Sequence, residues 1–219
     1  MDYSIREFPD LQFGTLYCIG RNYSDHIREM KSVETAVPVV FLKPRSSVIR
    51  SGDPILYPSA SVEVHHEVEL VLLLGNIPEK LTPENALTAI KAFAVGIDLT
   101  ARDLQADAKK NGLPWAMAKG LKTFAPIGNF VEFDPEKTDL QNLDLRLTTD
   151  GEIRQSGNTE EMIFSVTQIL CYLNQHFTLT PGDLIFTGTP EGVGPIAVNE
   201  RITASAGHNL SLLETYVRA

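Results

Sequence analysis

Apolar and polar residues along this chain fall into short segments cut by proline and glycine. Segments 16–19, 39–42, 62–74, 93–99, 143–148 and 184–187 are rich in Val, Ile, Leu and Phe over strand-like lengths, and they predict strands. Residues 201–217 read as a closing hairpin turning at Ala206-Gly207-His208-Asn209. Helices are fewer. Segment 24–30 is short and polar. Thr82 followed by Pro83 at a first helical position predicts a helix to about residue 90. A third spans 100–110 and stops near Asn111-Gly112. The fourth, 159–174, carries an apolar stripe of Met162, Ile163, Val166, Ile169, Leu170 and Leu173. Strands outnumber helices without regular alternation, so the expected class is a β-rich α+β domain and not a doubly wound sheet.

The length of 219 residues suits one domain or at most two. A formal net charge of -9 repels phosphate backbones and argues against nucleic-acid binding. It also repels anionic substrates, so a site for them needs local cations. Cys18 and Cys171 form no C-x-x-C spacing, which leaves zinc knuckles and redox pairs unsupported. The first residues lack an apolar signal core, and no apolar run approaches the ~18 residues that span a bilayer. A reducing cytoplasm with two free thiols is the expectation.

The most informative stretch is His65-His66-Glu67-Val68-Glu69-Leu70-Val71-Leu72. On a strand His65, Glu67 and Glu69 share one face, opposite Val68, Leu70 and Leu72. Two carboxylates held ~6–7 Å apart beside a core are costly without compensation. A divalent cation supplies it, because hard metals take carboxylate oxygens; a solvated strand end is the other reading. In Phe93-Ala94-Val95-Gly96-Ile97-Asp98, one carboxylate interrupts a buried-looking strand. Asp98 is either a third oxygen ligand or a cap for the helix that follows. On the short polar helix, His26 and Glu29 stand three apart and can touch. That pair makes a general base, or an ordinary surface ion pair.

Five motifs then agree in order: Ile19-Gly20-Arg21-Asn22-Tyr23, the 65–70 run, Gly96-Ile97-Asp98-Leu99-Thr100-Ala101-Arg102-Asp103, Trp115-Ala116-Met117-Ala118-Lys119, and Phe186-Thr187-Gly188-Thr189-Pro190-Glu191-Gly192-Val193-Gly194. Together they resemble the fumarylacetoacetate hydrolase family, in its small acylpyruvase and oxaloacetate decarboxylase branch. The similarity runs from about residue 16 to the C-terminus, which implies a single catalytic domain at 16–219 behind an N-terminal extension at 1–15. The resemblance implies a mixed β-sandwich roll of the family's C-terminal domain type, a homodimer, and Mg²⁺ or Mn²⁺ on Glu67, Glu69 and Asp98. It makes His26 and Glu29 a water-activating dyad on a lid over 24–31, and Lys119 an active-site lysine. Arg21, Arg102, Gln105, Gly188 and Thr189 become substrate-binding positions. Lys119 is followed by Gly120, Leu121 and Lys122 where the branch often has a small residue, an aromatic and Asp, so the pocket wall differs there.

The activity implied is metal-dependent hydrolysis of a C–C bond in an acylpyruvate or fumarylpyruvate, with oxaloacetate decarboxylation available to the same enolate chemistry. The alternatives are oxaloacetate keto–enol tautomerisation and isomerisation of a ring-cleavage keto acid. A metal-stabilised binding protein without catalysis is a third reading, disfavoured because a structural site needs neither the dyad nor Lys119.

Overall fold

A computed structural model describes residues 3–29 and 35–219. Residues 30 and 31 of the expected lid lie outside the described residues. The predicted class is the observed one: strands dominate, helices are few, and the main sheet curls. Among the described residues that sheet has eight strands. Its order is Val39–Lys43, Leu16–Gly20, Leu184–Phe186, Val68–Leu74, Ile90–Ile97, Ala125–Ile127 and Val48–Arg50, with Val131–Glu132 also on Ile90–Ile97. A five-stranded sheet packs on one of its faces, in the order Glu152–Asn158, Asp144–Thr149, Arg201–Ala206, Ser211–Arg218 and Pro54–Leu56. The expected closing hairpin forms its Arg201–Ala206 and Ser211–Arg218 strands, which pair antiparallel.

The central strand Val68–Leu74 is buried at every position. Leu70 and Leu72 enter the core between the two sheets with Phe93, Val95, Leu145, Leu147, Ile202 and Leu213. Val71 and Leu73 face the other way, against Leu16, Cys18, Ala92 and Phe186. Each such side chain contributes about 1.5–3 kcal/mol by leaving water. The residues taken as an extension join this second core. Ser4–Ile5 pairs with Phe8–Gln12, and Ile5 and Phe13 are buried against the sheet.

Five elements differ from the sequence pattern. The strand expected over 62–74 is cut at Glu67: Val64–His66 leaves for a small sheet with Thr100–Ala101 and Gly194–Pro195. Gln155 causes the cut to hold. Its Oε1 accepts from Val68 N at 2.9 Å and lies 2.9 Å from His66 Nδ1, so a side chain replaces a strand partner. His65 therefore turns to Glu63 at 3.0 Å instead of lining up with Glu67 and Glu69. Asp98 lies just past the end of Ile90–Ile97, not within it. The helix expected after Thr82 shrinks to a 3-10 turn over Ala86–Ala89, because Asn85 Oδ1 binds Thr82 N at 2.7 Å and Ile90 already belongs to a strand. Segment 159–174 splits: Thr159–Glu161 is a 3-10 turn, and helix Val166–His176 starts at a capping box between Ser165 and Gln168. Helix Arg102–Asn111 begins two residues late, since Thr100–Ala101 pairs with 64–65, and ends at Gly112 in the left-handed region.

Candidate active site

Helix α1 (Ser24–Glu29), helix α2 (Arg102–Asn111) and the short helix α3 (Ala116–Lys119) gather at one end of the main sheet. Nine of the residues singled out from the sequence line one pocket there: Arg21, His26, Glu67, Glu69, Asp98, Arg102, Gln105, Lys119 and Thr189. Glu29 and Gly188 stand behind it. Glu29 Oε2 lies 3.3 Å from His26 Nδ1, and Gly188 N donates to Glu69 Oε2 at 2.8 Å.

Each carboxylate arrives from a different local feature. Glu67 sits in the strand break, Glu69 opposite Gly96 in the sheet, and Asp98 just beyond the strand end, where its N–H bonds Glu67 O at 2.8 Å. One oxygen from each lies within 4.8 Å of the others, and all three residues are buried. Lys119 Nζ reaches Glu67 Oε2 at 2.8 Å and Asp98 Oδ2 at 2.5 Å, while Arg102 Nη2 lies 2.5 Å from Glu67 Oε1. Burial pushes the Glu67 carboxyl up, but Lys119 and then Arg102 outweigh it and hold it below the usual range. Glu69 has no cationic side chain at bonding distance among the described residues. Burial, then Asp98 and Glu67, push its carboxyl well above the usual range. Burial lowers the Lys119 ammonium, and the two carboxylates more than reverse that.

This donor set fits a hard divalent cation. Three oxygen donors converge, burial and then the charges of Asp98 and Glu67 push one carboxyl well above its usual range, and Asp98 Oδ1 makes no hydrogen bond of acceptable angle. Glu67, Glu69 and Asp98 could therefore hold Mg²⁺ or Mn²⁺.

The base side of the pocket is built on a strained turn. Arg21 takes φ 61°, which non-glycine residues seldom hold. Asn22 secures the turn: its Oδ1 accepts from Phe164 N at 2.7 Å, and its Nδ2 donates to Phe164 O at 3.0 Å and Thr187 O at 2.8 Å. Gly188, at φ 101°, must be glycine, since a Cβ would meet Asn22 Cβ at 2.7 Å. Glu29 Oε1 also accepts from Gly192 N at 3.2 Å, tying α1 to the same loop. Burial lowers the His26 imidazole below its ordinary range, against the opposing pull of Glu67 and Glu29. His26 is thus a neutral base at neutral pH.

Sequence reasoning missed several supports. Lys43 is 1 % exposed; it ends an apolar strand, and its Nζ lies 2.6 Å from Asp98 Oδ1. It donates to Leu99 O at 3.0 Å, to Phe124 O at 2.9 Å and to Lys119 O. A lysine closing a Val-Val-Phe-Leu run was the available signal. Gln155 donates to Thr189 Oγ1 at 2.8 Å and so orients a pocket hydroxyl from the second sheet; no sequence signal marked it. Phe41, Trp115 and Lys109 complete the wall.

The family model for the fumarylacetoacetate (FAA) hydrolase C-terminal domain matches residues 15–215. The chain belongs to the fumarylacetoacetate hydrolase family. Among its relatives in that family, the mitochondrial oxaloacetate tautomerase FAHD1 of Bos taurus is 41% identical over 197 residues, covering 90% of this chain and 89% of that one. The Mus musculus protein of the same name is 44% identical over 189 residues, covering 86% and 85%. Fumarylpyruvate hydrolase from Pseudomonas aeruginosa, solved with Mn²⁺ and pyruvate, superposes with a TM-score of 0.89 at 35% identity, covering 100% of this chain and 95% of that one. Among the described residues no helix is long and apolar enough to cross a membrane.

Proposed function

We propose that this chain is a divalent-metal-dependent enzyme that interconverts the keto and enol forms of oxaloacetate. The observation that carries the reading is a neutral His26, backed by Glu29, in the pocket that holds the carboxylate triad and Lys119. A base beside concentrated positive charge suits proton removal next to a carbonyl. Relatives 41% and 44% identical over most of their length carry the tautomerase name, which supports this reading beside the hydrolase expected from the sequence.

Glu67, Glu69 and Asp98 would hold Mg²⁺ or Mn²⁺, which supplies Lewis-acid polarisation of the keto oxygen. The Glu29 carboxylate accepts a hydrogen bond from the Nδ1–H of His26 and leaves Nε2 as the base. His26 takes a proton from the carbon between the keto group and the distal carboxylate. The C–H pair becomes the C=C bond, and the carbonyl π pair moves onto oxygen. Lys119 donates a hydrogen bond to that oxygen, which then takes up a proton to give the enol. His26 returns its proton to solvent, and the reverse sequence gives the keto form.

The His26–Glu29 contact and the fumarylpyruvate hydrolase neighbour favour a second reading. In it the same base activates water against the distal carbonyl of an acylpyruvate, the C–C bond breaks, and pyruvate leaves. Two assays separate them: ultraviolet decay of enol-oxaloacetate and pyruvate release from acetylpyruvate. Each is run with Mg²⁺, with chelator, and for Lys119→Met and His26→Ala. Mg²⁺-dependent acceleration of the first alone, lost in Lys119→Met, supports the tautomerase. Pyruvate release that depends on His26 supports the hydrolase. Acceleration of neither refutes both.

A further inference from the structure

The pocket carries more positive charge than its carboxylates use. Arg21, Arg102, Lys109 and Lys119 line it against Glu67, Glu69 and Asp98. These four cations outnumber the three carboxylates, inside a chain whose formal net charge is -9. Arg102 and Lys119 are engaged with the triad. Lys109 is not. Its Nζ lies over the Trp115 ring, 5.4 Å from the centroid, and among the described residues no carboxylate stands within ion-pair distance of it.

Its placement follows from helix geometry. Arg102, Gln105 and Lys109 fall on one face of α2, at spacings of three and four. Arg102 sits at the deep end on Glu67, and Lys109 is about 10 Å further along the axis, at the mouth. A helical side chain leans toward the N-terminal end, so the Lys109 stem covers the turn that carries Gln105. Partial burial and the neighbouring Arg102, Arg21 and Lys119 hold its ammonium below the ordinary lysine range. A cation crowded by cations, with only a weaker opposing pull from Glu67 and no carboxylate in contact among the described residues, gains most from an anion delivered by a ligand.

We propose that Lys109, above Trp115, is the specificity residue for a second carboxylate, so that the pocket selects 2-keto dicarboxylates over 2-keto monocarboxylates. This deepens the function proposed above and rests on its placing of a keto acid at the triad. Arg102 and Gln105 face the middle of such a substrate, and Lys109 meets its far end. The sequence pattern did not mark this lysine, because Lys109-Lys110 reads as a solvated helix end.

The test uses unreactive analogues of the two classes, malate and lactate, on the Mg²⁺-loaded full chain. Calorimetry gives the affinities, and emission of Trp115, the chain's single tryptophan, locates the bound end. Wild type should bind malate about tenfold or more tightly than lactate, the worth of one charge-assisted contact. In Lys109→Met most of that ratio should vanish, with malate losing far more than lactate, and Lys109→Arg should restore it. Saturating malate should shift Trp115 emission more than lactate does. Three results overturn the inference: malate failing to outbind lactate, a ratio unchanged in Lys109→Met, or Trp115 emission blind to bound malate. If oxaloacetate is not turned over but the malate ratio depends on Lys109, the subsite stands and the reaction assigned above falls. Turnover with a ratio indifferent to Lys109 gives the reverse.

Discussion

Replacing Lys43 by Met tests how the site is supported, because Lys43 touches no substrate position and holds four groups at once. Its ammonium is buried 2.6 Å from Asp98 Oδ1 and donates to the carbonyls of Leu99, Phe124 and Lys119. Methionine fills a similar volume and offers no donor. Removing one partner of a buried pair costs about 3–5 kcal/mol. Each carbonyl left without a donor adds about 1–3 kcal/mol on its own. These losses share one cause and do not sum, and Asp98 keeps Lys119 at 2.5 Å. A net loss of about 4 kcal/mol follows, a large part of the ~5–15 kcal/mol that holds a domain folded. Urea unfolding followed by circular dichroism reads it directly: with a slope of about 2–3 kcal/mol per molar, the midpoint falls by about 1.3–2 M. Lys91→Met is the control. Lys91 also pairs with a carboxylate, Glu132, but both are exposed, and its loss should stay below about 1 kcal/mol. A Lys43→Met midpoint no lower than that of the control would refute the view that this lysine carries Asp98 and the Lys119 backbone.

Two further predictions concern protons. Burial and the neighbouring Asp98 and Glu67 hold the Glu69 carboxyl well above its usual range, so Mg²⁺ or Mn²⁺ uptake at neutral pH should expel a proton; calorimetry in buffers of different ionisation enthalpy measures it, and uptake without proton release in Glu69→Gln identifies the source. The His26 imidazole is lowered by burial, so kcat/KM should stay level through neutral pH and fall only below about pH 6.5. Glu29 pulls that imidazole up, so Glu29→Gln should move the acid limb to lower pH while lowering the plateau; a limb moving upward would contradict the assignment. The stability effect has the same sign. Folded His26 binds fewer protons than unfolded His26, so the stability present above about pH 6.5 is lost as pH falls through the folded value.

The chain by itself determined the class of fold and the chemistry at stake. Short Val, Ile and Leu-rich segments between prolines and glycines can bury themselves only as strands in packed sheets, and every residue of Val68–Leu74 is indeed buried. Carboxylates inside such segments, at Glu67, Glu69 and Asp98, call for compensation because burial of like charges is costly; a divalent cation is one reading of them, a solvated strand end or a helix cap the other. The spacing of His26 and Glu29 foretold their contact, since three residues on a helix bring side chains together whatever surrounds them.

Tertiary structure decided the rest. The strand break at Glu67 depends on Gln155, 87 residues from the Val68 N–H it accepts. Periodicity sees only near neighbours, and so it drew one strand through 62–74 and put His65 beside the carboxylates. Segment 159–174 read as one helix because its stripe is apolar throughout, yet Asn22 takes the Phe164 backbone at both ends and pulls the chain straight before Ser165 can cap. Lys43 and Lys109 look like ordinary lysines along the chain. What sets them apart is which carboxylates the fold brings to one and withholds from the other, and that is a property of distances between segments remote in sequence.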